Sequence, residues 1–165
     1  MTQAIDWQSW RPADVATLLF IVEPERVLLI RKKRGLGAGK INAPGGRLEP
    51  GETTLQAAVR EVEEEIGVTP ERIESRGRLR FQFVDGYKLE AHVFVAFGHR
   101  GTPRETDEAI PHWYARDALP FEEMWADDRL WVPEILAGNQ IDGRFVFDGE
   151  LMLQHALDVR PAAPA

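Results

Sequence analysis

Cysteine is absent from the 165 residues. Disulfides and thiolate metal sites are therefore excluded, and the composition fits a reducing cytoplasm. Long hydrophobic runs are lacking too. The run VATLLFIV at 15–22 is far short of the ~20 residues that span a bilayer, and it reads as a buried strand. The first residues, MTQAIDWQSWRPAD, show no basic start followed by an apolar stretch, so no secretion signal is expected. Positive charge is also in deficit: 20 Lys and Arg against 27 Asp and Glu leave a net charge of −7. An acidic surface argues against a broad grip on a nucleic acid polymer, which needs a basic face. A small anionic substrate stays open wherever local cations offset the charge. No internal repeat or low-complexity segment breaks the chain.

What remains is 44% apolar and 28% charged, typical of a folded domain. The length suits one domain over residues 1–165 with a core of its own. The tail RPAAPA is expected to fray. VATLLFIVE and RVLLIRKK are strand-like runs separated by EPE, a hairpin pattern. RGLGAGKINAPGG is too broken by Gly and Pro to be regular. Thr53 or Thr54 can cap a helix, Gln56 sits where a capping box needs it, and Gly67 fits the C-terminal end. RLRFQFV and KLEAHVFVAF flank Asp85-Gly86, a hairpin signal. EAIPHWYA reads as a strand. DDRLWVPEILAG reads as a helix with Pro133 in its first turn or at a kink. RFVF is a strand, and ELMLQHALDV is strand or helix. Short strands interleaved with two helices predict an α/β or α+β sandwich.

The densest charge is REVEEEIG, Arg60–Gly67. On a helix at about 100° per residue, Leu55, Ala58, Val59, Val62 and Ile66 share the core side. Glu61, Glu64 and Glu65 share a second side at i, i+3, i+4, and Glu63 points elsewhere. Three aligned carboxylates are either a solvated face or a set of hard oxygen donors for Mg²⁺ or Mn²⁺.

The wider spacing decides between these. Gly46, Glu52, Arg60, Glu61, Glu64, Glu65 and Gly67, with aliphatic Val62 and Val68, match the Nudix box position by position. With each type at roughly 6–7% usage, seven matches in register do not arise by chance. The chain resembles the Nudix hydrolase superfamily. That resemblance implies an α/β/α sandwich with a mixed β-sheet and a catalytic loop–helix–loop. It also implies metal-dependent hydrolysis of a nucleoside diphosphate linked to another group. Carried over, Glu61, Glu64 and Glu65 are metal ligands, with the Gly46 carbonyl. Arg60 and Glu52 orient them. Glu108, in ETDEAIPHWY, completes the metal site, and Glu61 or Glu108 is the general base.

KKRGLGAGKIN, GTPRETDE, PFEEMWADDRLWVP and GRFVFDG extend the similarity to residues 15–158 and narrow it. They are similar to the animal-type MutT homologues, oxidised purine nucleoside triphosphatases that act on 8-oxo-dGTP. By position, Asn42, Asp127 and Asp128 would hydrogen-bond the purine and Trp125 would stack on it. Thr17, Lys32, Phe81 and Trp131 would line the pocket. Adjacent shielded carboxyls raise one pKa, so one can donate while the other accepts. Read alone, Trp125 and Trp131 could as well be core, Asp127 a helix cap and Asn42 a loop residue. The run RKKR could steer phosphates or simply end a strand in solvent. The family's Phe, two Met and Trp are replaced by Leu36, Leu89, Ala109 and Ile41, which is expected to loosen the pocket. The expected function is Mg²⁺-dependent cleavage of oxidised purine nucleotides, clearing the precursor pool for DNA synthesis and repair. The expected setting is a cytoplasmic monomer with a small-molecule substrate and no membrane partner. A Nudix pyrophosphatase for dinucleoside polyphosphates or unmodified dNTPs is the second reading, supported by Tyr87. A binding module without catalysis is the third, and the complete box argues against it.

Overall fold

Leu19–Val22 are four consecutive buried residues. A strand buries successive residues only when both of its faces are covered. That requirement organises the molecule, described here from a computed structural model covering residues 4–161. The strands are β1 (Asp14–Val22), β2 (Arg26–Lys32), β3 (Ile41–Asn42), β4 (Thr69–Phe83), β5 (Lys88–Arg100), β6 (Ala109–Ala115), β7 (Gln140–Asp148) and β8 (Leu151–Arg160). The helices are α1 (Thr54–Ile66) and α2 (Asp128–Leu136), with a 3₁₀ turn at Phe121–Glu123. Leu19 and Ile21 pack with Ala58, Val62 and Ile66 of α1. Phe20 and Val22 share a cluster with Trp131, Val132 and Ile135 of α2. The result is the expected α/β/α sandwich. Its sheet runs β3-β2-β1-β5-β4-β7-β8, with β6 also on β2. It is mixed, because β1/β5 and β4/β7 are parallel.

The hairpin at EPE forms but stays short: only Ile21↔Leu28 and Val22↔Val27 pair β1 with β2. Beyond them the glycine-rich segment enters as a wedge. Leu19 N donates to Pro44 O at 2.9 Å, Thr17 N to Gly46 O at 2.9 Å, and Leu48 N to Val15 O at 3.0 Å. β3 meanwhile pairs with Ile30 and Arg31 of β2. The sheet is thus split between β1 and β2, and residues 43–48 hydrogen-bond the exposed edge of β1. Gly45 permits the approach, since a Cβ there would stand 1.8 Å from Thr17 O.

The caps of α1 form as expected. Gln56 N donates to Thr53 Oγ1, Thr53 N to Gln56 Oε1, and Gly67 closes the helix at φ 75°. The buried set is Ala57, Ala58, Val62, Glu65 and Ile66, which corrects the expected face at one end. Leu55 has the core-facing angle but is 45% exposed, whereas Ala57 in the same turn is fully buried. β4 starts nine residues before the expected RLRFQFV, at Thr69. A bulge between Ser75 and Gly77 breaks its alternation, which hid that half from pattern reading. Pro133 is the sixth residue of α2, beyond the first turn, so it removes one helical hydrogen bond. ELMLQHALDV forms a strand, ending at Arg160. Of the tail expected to fray, residues 162–165 lie outside the described residues.

Candidate active site

A cavity of about 320 Å³ opens where the sheet splits. All eight residues expected around a base line it: Thr17, Lys32, Asn42, Phe81, Trp125, Asp127, Asp128 and Trp131. Gly46, Glu61, Glu65 and Glu108 line it as well. The two sets interleave along the chain, and the fold makes them two ends of one space.

At the carboxylate end, one oxygen each from Glu61, Glu65 and Glu108 lie within 4.8 Å of one another. Glu65 is only 3% exposed. Burial first, and then the Glu61 carboxylate beside it, push its carboxyl up from the usual 4.5 to about 8. Gly45 N donates to Glu65 Oε1 at 3.1 Å, which moderates the rise. A Cβ on Gly46 would lie 2.5 Å from Glu61 Cδ. The missing side chain is what lets that carboxylate rest against the loop. Glu108 is held by Arg34, Nη2 to Oε1 at 3.3 Å. A residue not anticipated, Thr106, ties the Glu108 loop to the helix: its Oγ1 donates to Glu65 O at 2.7 Å and accepts from Glu108 N at 3.2 Å.

Glu64 stands apart from this group. It is half exposed and meets Arg60 Nη1 at 3.2 Å. Arg60 also grips Glu52 with two bonds, at 2.7 and 2.8 Å, and reaches Glu61 Oε1 at 2.9 Å. Its guanidinium holds Glu52 down at about 2. Arg60, Glu52 and Glu64 lie outside the cavity wall, so the bidentate clamp sets where Glu61 points and does not itself face the cavity.

At the other end, Asp127 and Asp128 are 2% and 3% exposed. Asp127 occupies the N-cap position of α2 without capping it. Its Oδ2 instead accepts from Trp131 Nε1 at 2.7 Å. Burial raises Asp127 to about 6. Burial and the charge of Asp127 raise Asp128 further. The pair therefore keeps a proton near neutrality, and Asp128 Oδ2 has no partner among the described residues. Asn42 Oδ1 accepts from Ala43 N at 2.9 Å, which leaves its amide N–H groups to present. Trp125 is fixed edge-on by Phe147 at 5.6 Å and Phe83 at 6.4 Å, with Lys40 Nζ 5.4 Å from its ring. Trp131 is both fully buried core and cavity wall.

Some expectations change. Leu36 and Leu89 line the cavity, but Ile41 and Ala109 do not. Both are fully buried, Ala109 among the side chains under α1 and Ile41 behind the wall in one cluster with Phe83, Trp131 and Phe147. Of the RKKR run, Lys32 and Arg34 reach the cavity. Arg31 and Lys33 pair with Glu123 and Glu105 at the surface. Tyr87 lines the cavity, yet its hydroxyl donates to Asp14 Oδ2 at 2.8 Å. Phe83, Ala91 and Phe147 complete the apolar wall and carried no signal beyond strand alternation.

The NUDIX domain matches residues 12–135. The oxidized purine nucleoside triphosphate hydrolase of Danio rerio is 44% identical over 144 residues, covering 86% of this chain and 92% of that protein. The Mus musculus protein of the same name is 39% identical, with the same shares covered. A crystal structure of a MutT protein from Bacillus halodurans superposes with a TM-score of 0.78 at 27% identity, covering 88% of this chain and 97% of that one. With its box intact and matched over most of its length, the chain belongs to the Nudix hydrolase family.

Proposed function

We propose that this Nudix hydrolase cleaves oxidised purine nucleoside triphosphates, with 8-oxo-dGTP among its better substrates, to the monophosphate and pyrophosphate. In doing so it clears damaged precursors before DNA synthesis. One observation carries this reading. A single cavity joins the three-carboxylate cluster to a buried acid pair that can donate and accept side by side.

The carboxylate end fits a divalent cation. Its donors are hard oxygens, they are crowded, and burial with the adjacent Glu61 carboxylate holds Glu65 protonated to about 8. Glu61, Glu65, Glu108 and the Gly46 carbonyl would hold Mg²⁺, or Mn²⁺ in its place, with Glu64 the further carboxylate beside Arg60. When bound, such an ion neutralises phosphate charge and acidifies a water. The protein's share is orientation and proton transfer. Arg60 and Glu52 fix the Glu61 carboxylate. Glu61 or Glu108, both less buried than Glu65, accepts the proton at a carboxylate oxygen. Lys32 and Arg34 bring positive charge to the phosphate end. Asp128 donates to the base, Asp127 accepts, Asn42 adds an amide donor, and Trp125 offers a flat face.

The enzyme is proposed to act as a cytoplasmic monomer on a small nucleotide. The net charge of −7 supports that substrate over a nucleic acid polymer. Among the described residues no helix is long and apolar enough to cross a membrane. Tyr87 adds little to the dinucleoside polyphosphate alternative, since its hydroxyl is already engaged by Asp14. The test is kcat/KM in Mg²⁺ for 8-oxo-dGTP, 2-hydroxy-dATP, dGTP, dATP and diadenosine tetraphosphate. We expect 8-oxo-dGTP to exceed dGTP, and equal values would sink the proposal.

A further inference from the structure

Along β4 and β5 the cavity wall, Phe81, Phe83 and Ala91, packs on the α2 side of the sheet. On the α1 side, the helix packs with β1, β2, β5 and β6 side chains and leaves part of β4 and β7 without an apolar cover. Register sets what that face presents. Arg78 lies opposite His92 on β5 and Asp142 on β7, and Arg80 lies opposite Glu90 and Arg144. Directly opposed residues share a face.

The segment before β1 lies across these arginines. Trp10 is 6% exposed, and its Nε1 donates to Gln82 Oε1 at 3.0 Å. Trp7 packs on Trp10 at 5.6 Å between ring centroids. Arg80 Nη1 meets Trp7 O at 3.5 Å, and the guanidinium sits 5.8 Å from the Trp7 ring. Between segment and sheet is a groove of about 600 Å³.

Its charge is poorly balanced. Arg11, Arg78, Arg80 and Arg144 line the groove, and Glu90 is the carboxylate in its wall. Arg78 reaches Asp142 at 3.5 Å and Glu90 at 3.7 Å, and Arg80 reaches Asp142 at 3.7 Å, all long for ion pairs. Glu90 is also shared with His92 at 3.0 Å. Arg11 and Arg144 form no ion pair among the described residues. Arg80 Nε is buried without a partner. A buried, unpaired guanidinium N–H is costly and calls for an explanation. Four guanidiniums gathered in one groove of a net acidic chain offer forked donors that match phosphate oxygens.

We propose that this groove is a second, non-catalytic anion site that takes a phosphate group, from free pyrophosphate or from a nucleotide, on Arg78, Arg80 and Arg144. For a nucleotide, Trp7 supplies a ring on which the base stacks. The site is separate from the catalytic cavity but stands back to back with it. Arg80 and Glu90 face the groove, while their neighbours Phe81 and Leu89 face the cavity.

The test is titration calorimetry on the full chain in EDTA at low salt, with inorganic pyrophosphate and with guanosine monophosphate as probes. We expect one site whose affinity falls as salt rises. Arg78→Gln with Arg144→Gln should weaken it about tenfold or more, the loss expected for charge-assisted bonds. Turnover and melting temperature should stay unchanged. Arg144→Gln alone, at a residue with no ion pair, gives the same direction should the double variant misfold. Asn42→Ala should leave pyrophosphate binding intact. Tighter binding of the monophosphate, lost in Trp7→Ala, identifies the nucleotide as the source, and equal or weaker binding identifies pyrophosphate. Absence of heat with both probes, or binding that survives the arginine variants, overturns the site.

Discussion

Glu65→Gln should make the metal-free protein more stable while abolishing turnover. Glu65 is 3% exposed, and its carboxyl is raised from 4.5 to about 8, first by burial and then by Glu61. The folded pKa lies above the unfolded one, so the native state favours the protonated acid. That contribution is complete below pH 4.5 and is lost as pH climbs to about 8. Integrated from 4.5 to 7, the loss is ~3 kcal/mol. Glutamine is neutral at every pH, keeps the shape, and can still accept from Gly45 N. Allowing Glu61 to relax as Glu65 ionises, we expect Glu65→Gln to gain about 1–3 kcal/mol at pH 8 in EDTA, or roughly 2–10 °C in Tm. The gain should shrink to nothing near pH 4.5. Mg²⁺ should raise the Tm of the wild type and not that of the variant. The measurement is differential scanning fluorimetry across pH, with and without metal, beside turnover of 8-oxo-dGTP. A variant no more stable than wild type at pH 8 would refute the electrostatic reasoning. Retained activity would remove Glu65 from the metal site.

Three further outcomes are expected. Asp127→Asn should lower the kcat/KM ratio of 8-oxo-dGTP to dGTP while leaving the Mg²⁺ requirement in place. An unchanged ranking would count against the acid pair as the reader of the base. Arg60→Ala frees Glu52, Glu61 and Glu64 at once, so activity should drop about 10–100-fold and half-saturating Mg²⁺ should rise. A Mg²⁺ titration with the wild-type midpoint would contradict the clamp. Gly46→Ala puts a Cβ 2.5 Å from Glu61 Cδ, so kcat should fall at least tenfold with little change in base ranking. A variant with normal kcat would show that Glu61 can act from another position.

The carboxylate helix was legible because its information is local. Spacing on one helix and a loop bonded to it survives without knowledge of the fold, and Thr53, Gln56 and Gly67 behave as their chemistry demands. Where distance across the fold decides, the sequence was silent or misleading. Leu55 has the right helical angle but is 45% exposed. Glu64 shares a helical side with Glu61 and Glu65, yet it meets Arg60 outside the cluster, while Glu108, anticipated only through resemblance, brings the third nearby oxygen from the loop just before β6. Ile41 and Ala109 were expected at the pocket wall, but strand alternation aims them into the core. That Asn42, Trp125 and Asp128 would line one cavity was anticipated only through resemblance, because nothing in them alone separates pocket from core. The arginine groove had no signal at all, since its members come from residues 7 to 144 and meet only through β4/β7 register.

The split between β1 and β2 explains why the two ends of the site cooperate. An edge opened inside a sheet leaves N–H groups that must be satisfied. Here Thr17 N and Leu19 N are met by Gly46 O and Pro44 O. The bond that closes the sheet's own deficit therefore fixes the carbonyl expected to face the metal. Thr17 also lines the cavity with the base-side residues, its Oγ1 3.5 Å from the same Gly46 oxygen. A shift of β1 would move the phosphate-side carbonyl and the base wall together. The two ends of the cavity are thus anchored on one strand, although Glu61 and Asp128 sit on separate helices on opposite faces of the sheet.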